Sequence, residues 1–373
     1  MTDFVHLHTH TEFSLLDGAA TIKKLIEKTK ELGMTSIAIT DHGAMYGVVD
    51  FYKEAIKNDI KPIIGCEVYV APRSRFDKTY GVDSRYNHLI LLAENEVGYK
   101  NLIKIVTAGF VDGFYYKPRV DFELLSENKE GLIVLSACLA GALPRAILDS
   151  GYDEAKKIAQ KYIEVFGKDN YFIEIQDHGI ADQKRSNPEL IRLAHELGVG
   201  LVATNDIHYV EKQDAEAQDV LMCIQMDRTV DDPERMKFET EEFYLKSPDE
   251  MEELFSYIPE ALENTAKIAE RCNVEFDFKT RHLPSYAVPV GKDHYEYLRE
   301  LCFAGLDARY ENPGDDLKER LEYELGVIKG MGFVDYFLIV WDFINYAKKN
   351  GKRVINIGDR LKNLFNFSIF DGV

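Results

Sequence analysis

Seven short apolar runs in this 373-residue chain each carry, at or near an end, side chains of the kind that ligate metals. FVHLHTH brings His8 and His10, and SIAITDH brings Asp41 and His42. KPIIGCEVYV carries Cys66 and Glu67, HLILLAE carries His88, and LIVLSAC ends in Cys138. YFIEIQDH supplies Glu174 and His178, and LVATNDIHY supplies Asp206 and His208. The runs read as strands near 3–9, 35–41, 61–70, 87–93, 131–137, 171–176 and 200–205. Helical spacing follows them at 21–32, 44–57, 97–109, 140–149, 153–166, 187–197 and 214–225. Strands alternating with helices imply an α/β fold with a parallel sheet, and in closed sheets of that kind chemistry gathers at the strand C-terminal ends. The expectation is a distorted seven-stranded (β/α)7 barrel, with an open doubly wound sheet as the alternative. A closed ring is favoured because it converges all seven sets of ligand-type residues on one point.

Residues two apart on a strand face the same side, so His8 and His10 can reach one ion together, as can Asp206 and His208. Imidazole and carboxylate suit Zn²⁺, Mn²⁺ or Fe²⁺, and one thiolate from Cys138 tilts the set toward Zn²⁺. A carboxylate such as Glu67 can bridge two ions, and paired ions suit phosphoester hydrolysis. A single buried histidine is more often a hydrogen-bonded core group than a ligand, and His178, Asp177 and Glu174 are read chiefly that way. Cys66 and Cys138, taken singly, would be small buried apolar residues. His6 is read as barrel filling. Of the adjacent pair, His42 is assigned as ligand and Asp41 as its support.

The net charge of −19 argues against a broad non-specific nucleic-acid surface, which would be basic. It leaves a nucleic-acid substrate open, since bound cations can supply local positive charge. The five cysteines (66, 138, 223, 272 and 302) form no CxxC. The opening MTDFVHLHTH lacks a basic segment followed by a long apolar run, so a reduced, cytoplasmic setting is expected. No stretch reaches transmembrane length, so no membrane partner is expected. From about 226 the pattern becomes polar and irregular, with strand-like FYLKS at 243–247 and a helix at 258–272. A Pro-punctuated connection follows, then helices at 293–310, 316–330 and 335–349. The expected division is 1–280, 281–351 and a tail at 352–373.

HLHTHTEFSLLDG, with His8, His10, Ser14 and Asp17, resembles the opening motif of the PHP (polymerase and histidinol phosphatase) family. ITDHGAMYG, GCEVYV, LSACLAGALP and TNDIHY resemble its later motifs. The version is similar to that found in the alpha subunits of bacterial DNA polymerase III, as are YKPRVD, YLKSPDEM and MGFVDYFLIVWDFINYAKKNG, over about residues 1–351. The resemblance implies a PHP barrel with up to three divalent ions, zinc or manganese first and magnesium or iron after them, followed by a partial palm segment. It implies His8, His10, Glu67 and Asp206 around one ion, Glu67, His88 and Cys138 around a second, and Asp17, His42 and His208 around a third. It further implies a metal-dependent 3′–5′ exonuclease in DNA replication, with Glu67, His10 and His208 at the chemistry, a DNA 3′ end as substrate, and other replisome subunits as partners.

The segment after KKNG departs from the family. It reads KRVINIGDRLKNLFNFSIFDGV, without a glycine-rich loop or paired palm carboxylates, so primer extension by this chain is not expected. Two rivals remain: a small-molecule phosphoesterase of histidinol-phosphatase type, and a metal-stabilised structural module without catalysis.

Overall fold

In the computed structural model the described residues are 4–280 and 282–352. The tail singled out in the sequence therefore lies outside them, apart from Lys352. The chain divides into two compact units, the first running through Glu275 and the second starting at Phe276.

The first unit runs α1 (Ile22–Glu31), β1 (Ser36–Ile39), α2 (Val48–Lys57), β2 (Lys61–Val70) and β3 (Asn87–Ala93). It continues with α3 (Glu96–Val111), β4 (Phe114–Tyr115), β5 (Lys117–Val120), α4 (Phe122–Glu127), β6 (Leu132–Leu135), α5 (Ala142–Asp149) and α6 (Tyr152–Phe166). Then come β7 (Tyr171–Ile175), α7 (Ala181–Leu197), β8 (Gly200–Ala203), α8 (Ala215–Gln225), α9 (Pro248–Phe255) and α10 (Pro259–Arg271). The helices form where the apolar spacing predicts. In α1, Ile22, Leu25, Ile26 and Thr29 make one buried stripe. Local capping sets several starts: Asn95 accepts from Val97 N and Gly98 N ahead of α3, and Ser247 and Glu250 form a capping box on α9.

The sheet order is β4-β5-β2-β3-β6-β7-β8, with β1 also paired to β2, along the edge opposite β3. The fold class is α/β as expected, but the sheet is mixed rather than parallel. β3 runs antiparallel to both β2 and β6, while β1–β2, β6–β7 and β7–β8 are parallel. No helix separates β2 from β3. Parallel neighbours are usually joined through a helix, and here the chain returns in the opposite direction without one.

The run expected as the first strand, 3–9, forms no regular ladder where it is described. It is an extended segment whose bonds close the ring. Ala38 N donates to His6 O, Thr40 N to Thr9 O, and Ile207 N to His8 O, while His10 N donates to Ile207 O. FYLKS is likewise not a strand but makes one bridge, Tyr209 to Tyr244. Helix α7 starts earlier than expected and passes through Pro188, because burial of Gln183, Ser186, Asn187, Leu190 and Leu193 outweighs the lost backbone bond.

The interior is filled by Val5, Leu7, Ala38, Ile63, Ile90, Leu92, Ile133, Leu135 and Val202. Ile268 and Ala269 of α10 and Cys272 just after it plug one end. That end is the one at which β2 begins, since Lys61 Nζ donates to Ala269 O at 2.7 Å. The opposite end is left for polar groups. In the second unit, α11 (His294–Arg309), α12 (Asp315–Gly330) and α13 (Val334–Lys349) pack around Leu298, Cys302, Leu306, Leu321, Leu325 and Leu338.

Candidate metal centre

At the open end of the ring the structure gathers all nine residues assigned from the sequence. His8 and His10 come from the extended N-terminal segment, Asp17 from the loop before α1, and His42 from just after β1. Glu67 lies within β2, Cys138 follows β6, and Asp206 and His208 follow β8. His88 begins β3. Only because β3 is antiparallel does its first turn of chain, rather than its last, lie at this end.

The tightest group is His8, His10 and Asp206 with Glu67. His8 Nε2 lies 3.0 Å from Glu67 Oε2, 3.1 Å from His10 Nε2 and 3.1 Å from Asp206 Oδ1. His10 Nε2 is 3.1 Å from the same Asp206 oxygen. A second group forms on Glu67 Oε1, with His42 Nδ1 at 2.6 Å and His88 Nδ1 at 2.8 Å. Cys138 Sγ stands 3.7 Å from His88 Nδ1. A third comprises His10, His42 and His208. His42 Nε2 faces Asp17 Oδ2 at 3.6 Å. His42 thus sits between two groups, one nitrogen toward Glu67 and the other toward Asp17, where the family resemblance had placed it with Asp17 and His208 alone.

The outer nitrogens are locked from behind. Glu174 Oε1 takes the Nδ1 proton of His8 at 2.7 Å and is itself bonded by Gln176 and Thr204. Ser14 Oγ donates to Asp41 Oδ1 at 2.7 Å, so its lone pair faces His10 Nδ1–H at 3.3 Å. His208 Nδ1–H donates to Asp206 O at 2.8 Å. All three rings therefore turn Nε2 inward, the nitrogen that is left free to ligate once its proton gives way to a metal.

Without protons those nitrogens would face the carboxylate oxygens acceptor against acceptor, an arrangement that is repulsive unless a proton or a metal cation lies between them. The buried His42 Nε2 and Asp206 Oδ1 have no hydrogen-bond partner. Among the described residues no lysine or arginine lies within 4.0 Å of Glu67, Glu174 or Asp206. The donor separations near 3.0–3.1 Å approach the ~3.3 Å edge of a tetrahedron with ~2 Å metal–ligand bonds. The residues fit a divalent ion.

Electrostatics say the same. Burial alone would lower His8, but Asp206 and Glu174 outweigh it and hold its pKa well above the usual value. Burial likewise opposes charge on His42, and Glu67 overrides it, raising the pKa to about 9. Burial would raise Glu67 and Asp206, yet His88 and His42 depress the first and His8 and His208 the second. His10 is driven well down by burial and then by His42 and His208. Burial, with Asp206 and Glu67, pushes the Cys138 thiol well up. The cluster demands positive charge, by proton or by metal.

The remaining sequence candidates are accounted for separately. His178 is buried with Nε2–H on Asn205 O and Nδ1 accepting from Gln183 Nε2, so it does not enter the cluster. Asp177 accepts from Gly179 N. His6 bonds Lys246 O, and Cys66 Sγ–H donates to Asp41 O. Ser14 belonged to the opening motif without an assigned role, and Thr11, Gln176 and Thr204 carried no spacing signal. Their part depends on partners tens to hundreds of residues away in the chain.

A PHP domain model matches residues 6–178, and a model of the bacterial DNA polymerase III alpha NTPase domain matches residues 296–358. DNA polymerase III subunit alpha of Treponema pallidum is 50% identical over 351 residues, covering 93% of this chain and 30% of that protein. The chain belongs to the DNA polymerase III alpha-subunit family. The same subunit of Borreliella burgdorferi is 49% identical over 353 residues, with 93% and 30% covered. That of Thermus aquaticus is 40% identical over 418 residues, with 94% and 34% covered. The chain thus spans about a third of the length of these curated relatives. A solved amidohydrolase from Chromobacterium violaceum is 14% identical with a TM-score of 0.37, covering 55% of this chain and 87% of its own. Asp206 and His208, which share the cluster, lie after the span that the PHP model matches.

Proposed function

We propose that this chain is a metal-dependent phosphodiesterase that removes nucleotides from the 3′ end of DNA, acting in the cytoplasm alongside other replication subunits. The observation that supports it best is the set of inward histidine nitrogens crowded against Glu67 and Asp206, with no lysine or arginine among the described residues within 4.0 Å of either carboxylate. His8, His10, Glu67 and Asp206 would hold one ion, Glu67, His88 and Cys138 a second, and Asp17, His42 and His208 a third. Zinc or manganese suits the mixture of imidazole, carboxylate and one thiol. Bound divalent ions would supply Lewis acidity toward a phosphoryl oxygen and lower the pKa of water.

The protein's own part is to fix donors and exclude wrong protonation. Glu67 offers one oxygen to His8 and the other to His42 and His88, so a single carboxylate lies between two groups. His10 and His208 have their outer N–H groups engaged, which leaves each only its inward nitrogen. The kinship with replicative polymerase subunits favours a DNA end over a small phosphomonoester. The test is hydrolysis of a primer with a mismatched 3′ end beside a phosphomonoester panel, with metal content measured on the same protein. Loss of the terminal nucleotide in the presence of Mn²⁺ or Zn²⁺ is expected, and turnover of phosphomonoesters alone would overturn the reading.

A further inference from the structure

The β4–β5 hairpin closes in a one-residue turn, with Tyr115 paired to Lys117 and Tyr116 at its tip. Tyr116 has φ +62°, a conformation natural to glycine and costly for a tyrosine. Its ring meets the neighbouring Tyr115 ring edge-on at 4.7 Å, yet the residue remains 63% exposed, so burial does not explain why a large ring is held there. Next to it, the Lys117 ammonium lies 5.4 Å above the Tyr69 ring. That ring stacks toward His42 at 6.3 Å and meets His88 at 5.4 Å. The hairpin therefore stands one side chain away from the metal centre.

The surroundings have a consistent chemistry. Phe114 and Phe110 are exposed and stacked 6.4 Å apart, and Tyr46 lies 6.2 Å from Phe110. Among the described residues, no carboxylate lies within 4.0 Å of Lys117, Arg85 or Arg145, whereas nearby Arg73 and Arg75 are tied to Asp83 and Asp121. Arg145 donates to Tyr86 O and Asn87 Oδ1, directly beside His88. Three unbalanced cations in a chain of net charge −19 mark a place for an anion. Flat exposed rings beside them suit unpaired bases, which stack on aromatic side chains while their phosphates meet basic groups.

We propose that this hairpin is the entry rim for single-stranded DNA, with Lys117 on a phosphate of the strand and Tyr116 stacked on a base. The inference rests on the phosphodiesterase reading above and assigns the strand its path to that site. The probe is a short fluorescent oligothymidylate with phosphorothioate linkages at its 3′ end, titrated with the full Mn²⁺-loaded chain and followed by anisotropy. Tyr116→Gly should weaken binding about tenfold and Tyr116→Phe should leave it near the wild-type value. Lys117→Gln should lower the slope of log affinity against log salt by about 0.7. Glycine adopts φ > 0 without strain, so Tyr116→Gly should melt no lower than the wild type. Binding by Tyr116→Gly and Lys117→Gln within about twofold of wild type, or no binding by the wild type, would overturn the proposal and leave a protein surface as the hairpin's partner. Binding to the protected probe is read without turnover, and hydrolysis is read separately on the same oligothymidylate with ordinary phosphodiester linkages; variant-sensitive binding with no cleavage of the unprotected strand would sink the phosphodiesterase reading and leave the rim standing.

Discussion

At the fully buried Glu67 two oxygens face four imidazoles, those of His8, His10, His42 and His88. An amide there keeps the size but loses the charge, so Glu67→Gln should remove nearly all hydrolysis while retaining the fold. Circular dichroism and metal analysis beside the nuclease assay would check it, and near-normal turnover with full metal content would deny Glu67 its central place. His6 and His178 present the opposite electrostatics: burial lowers each to about 4 from an ordinary 6.5. A base with a depressed folded pKa is neutral when folded, so its contribution is complete above pH 6.5 and is lost as pH falls toward 4. Each group should cost about 1.4 kcal/mol per pH unit across that window. Denaturant titrations at several pH values should show His178→Gln with a slope shallower than wild type by one proton, and an equal slope would refute the assignment. The sequence made His8, His10, Asp206 and His208 legible because residues two apart share a face. It hid Glu174 as a support of His8, since that bond joins residues 166 positions apart.

At the level of elements, periodicity located the helices because each buries one stripe, as α1 does with Leu25 and Ile26. Strand direction was not legible in the same way. β3 has an ordinary apolar sequence, and nothing in it marks a strand that runs antiparallel to its neighbours. Short elements such as β4, β5 and α4 have too few residues to show a period. Their signals are local, as in the Asp121 cap on α4. One close approach gives a sharp test. A Cβ on Gly98 in α3 would lie 1.7 Å from Gly131 O in the turn before β6. Gly98→Ala should therefore destabilise by about 2–4 kcal/mol, because backbone rather than a movable side chain blocks it. Urea denaturation would measure this, and a loss under about 0.5 kcal/mol would show the turn can retreat.

For the whole molecule, ions bound only by the folded barrel should raise its stability by mass action. Chelation should lower the melting temperature and metal should restore it, as read by calorimetry; an unchanged melt would mean that the cluster binds no ion. Glu67 sits in β2, which is bonded along one edge to β1 and β5 and along the other to β3. A strand held on both sides has no edge from which to fray. Its amides should be among the slowest in the chain to exchange with deuterium, surrendering protons only when the barrel opens as a unit. A centre fastened to such a strand does not loosen by degrees: the escape of its ions into a strong chelator should keep time with unfolding itself.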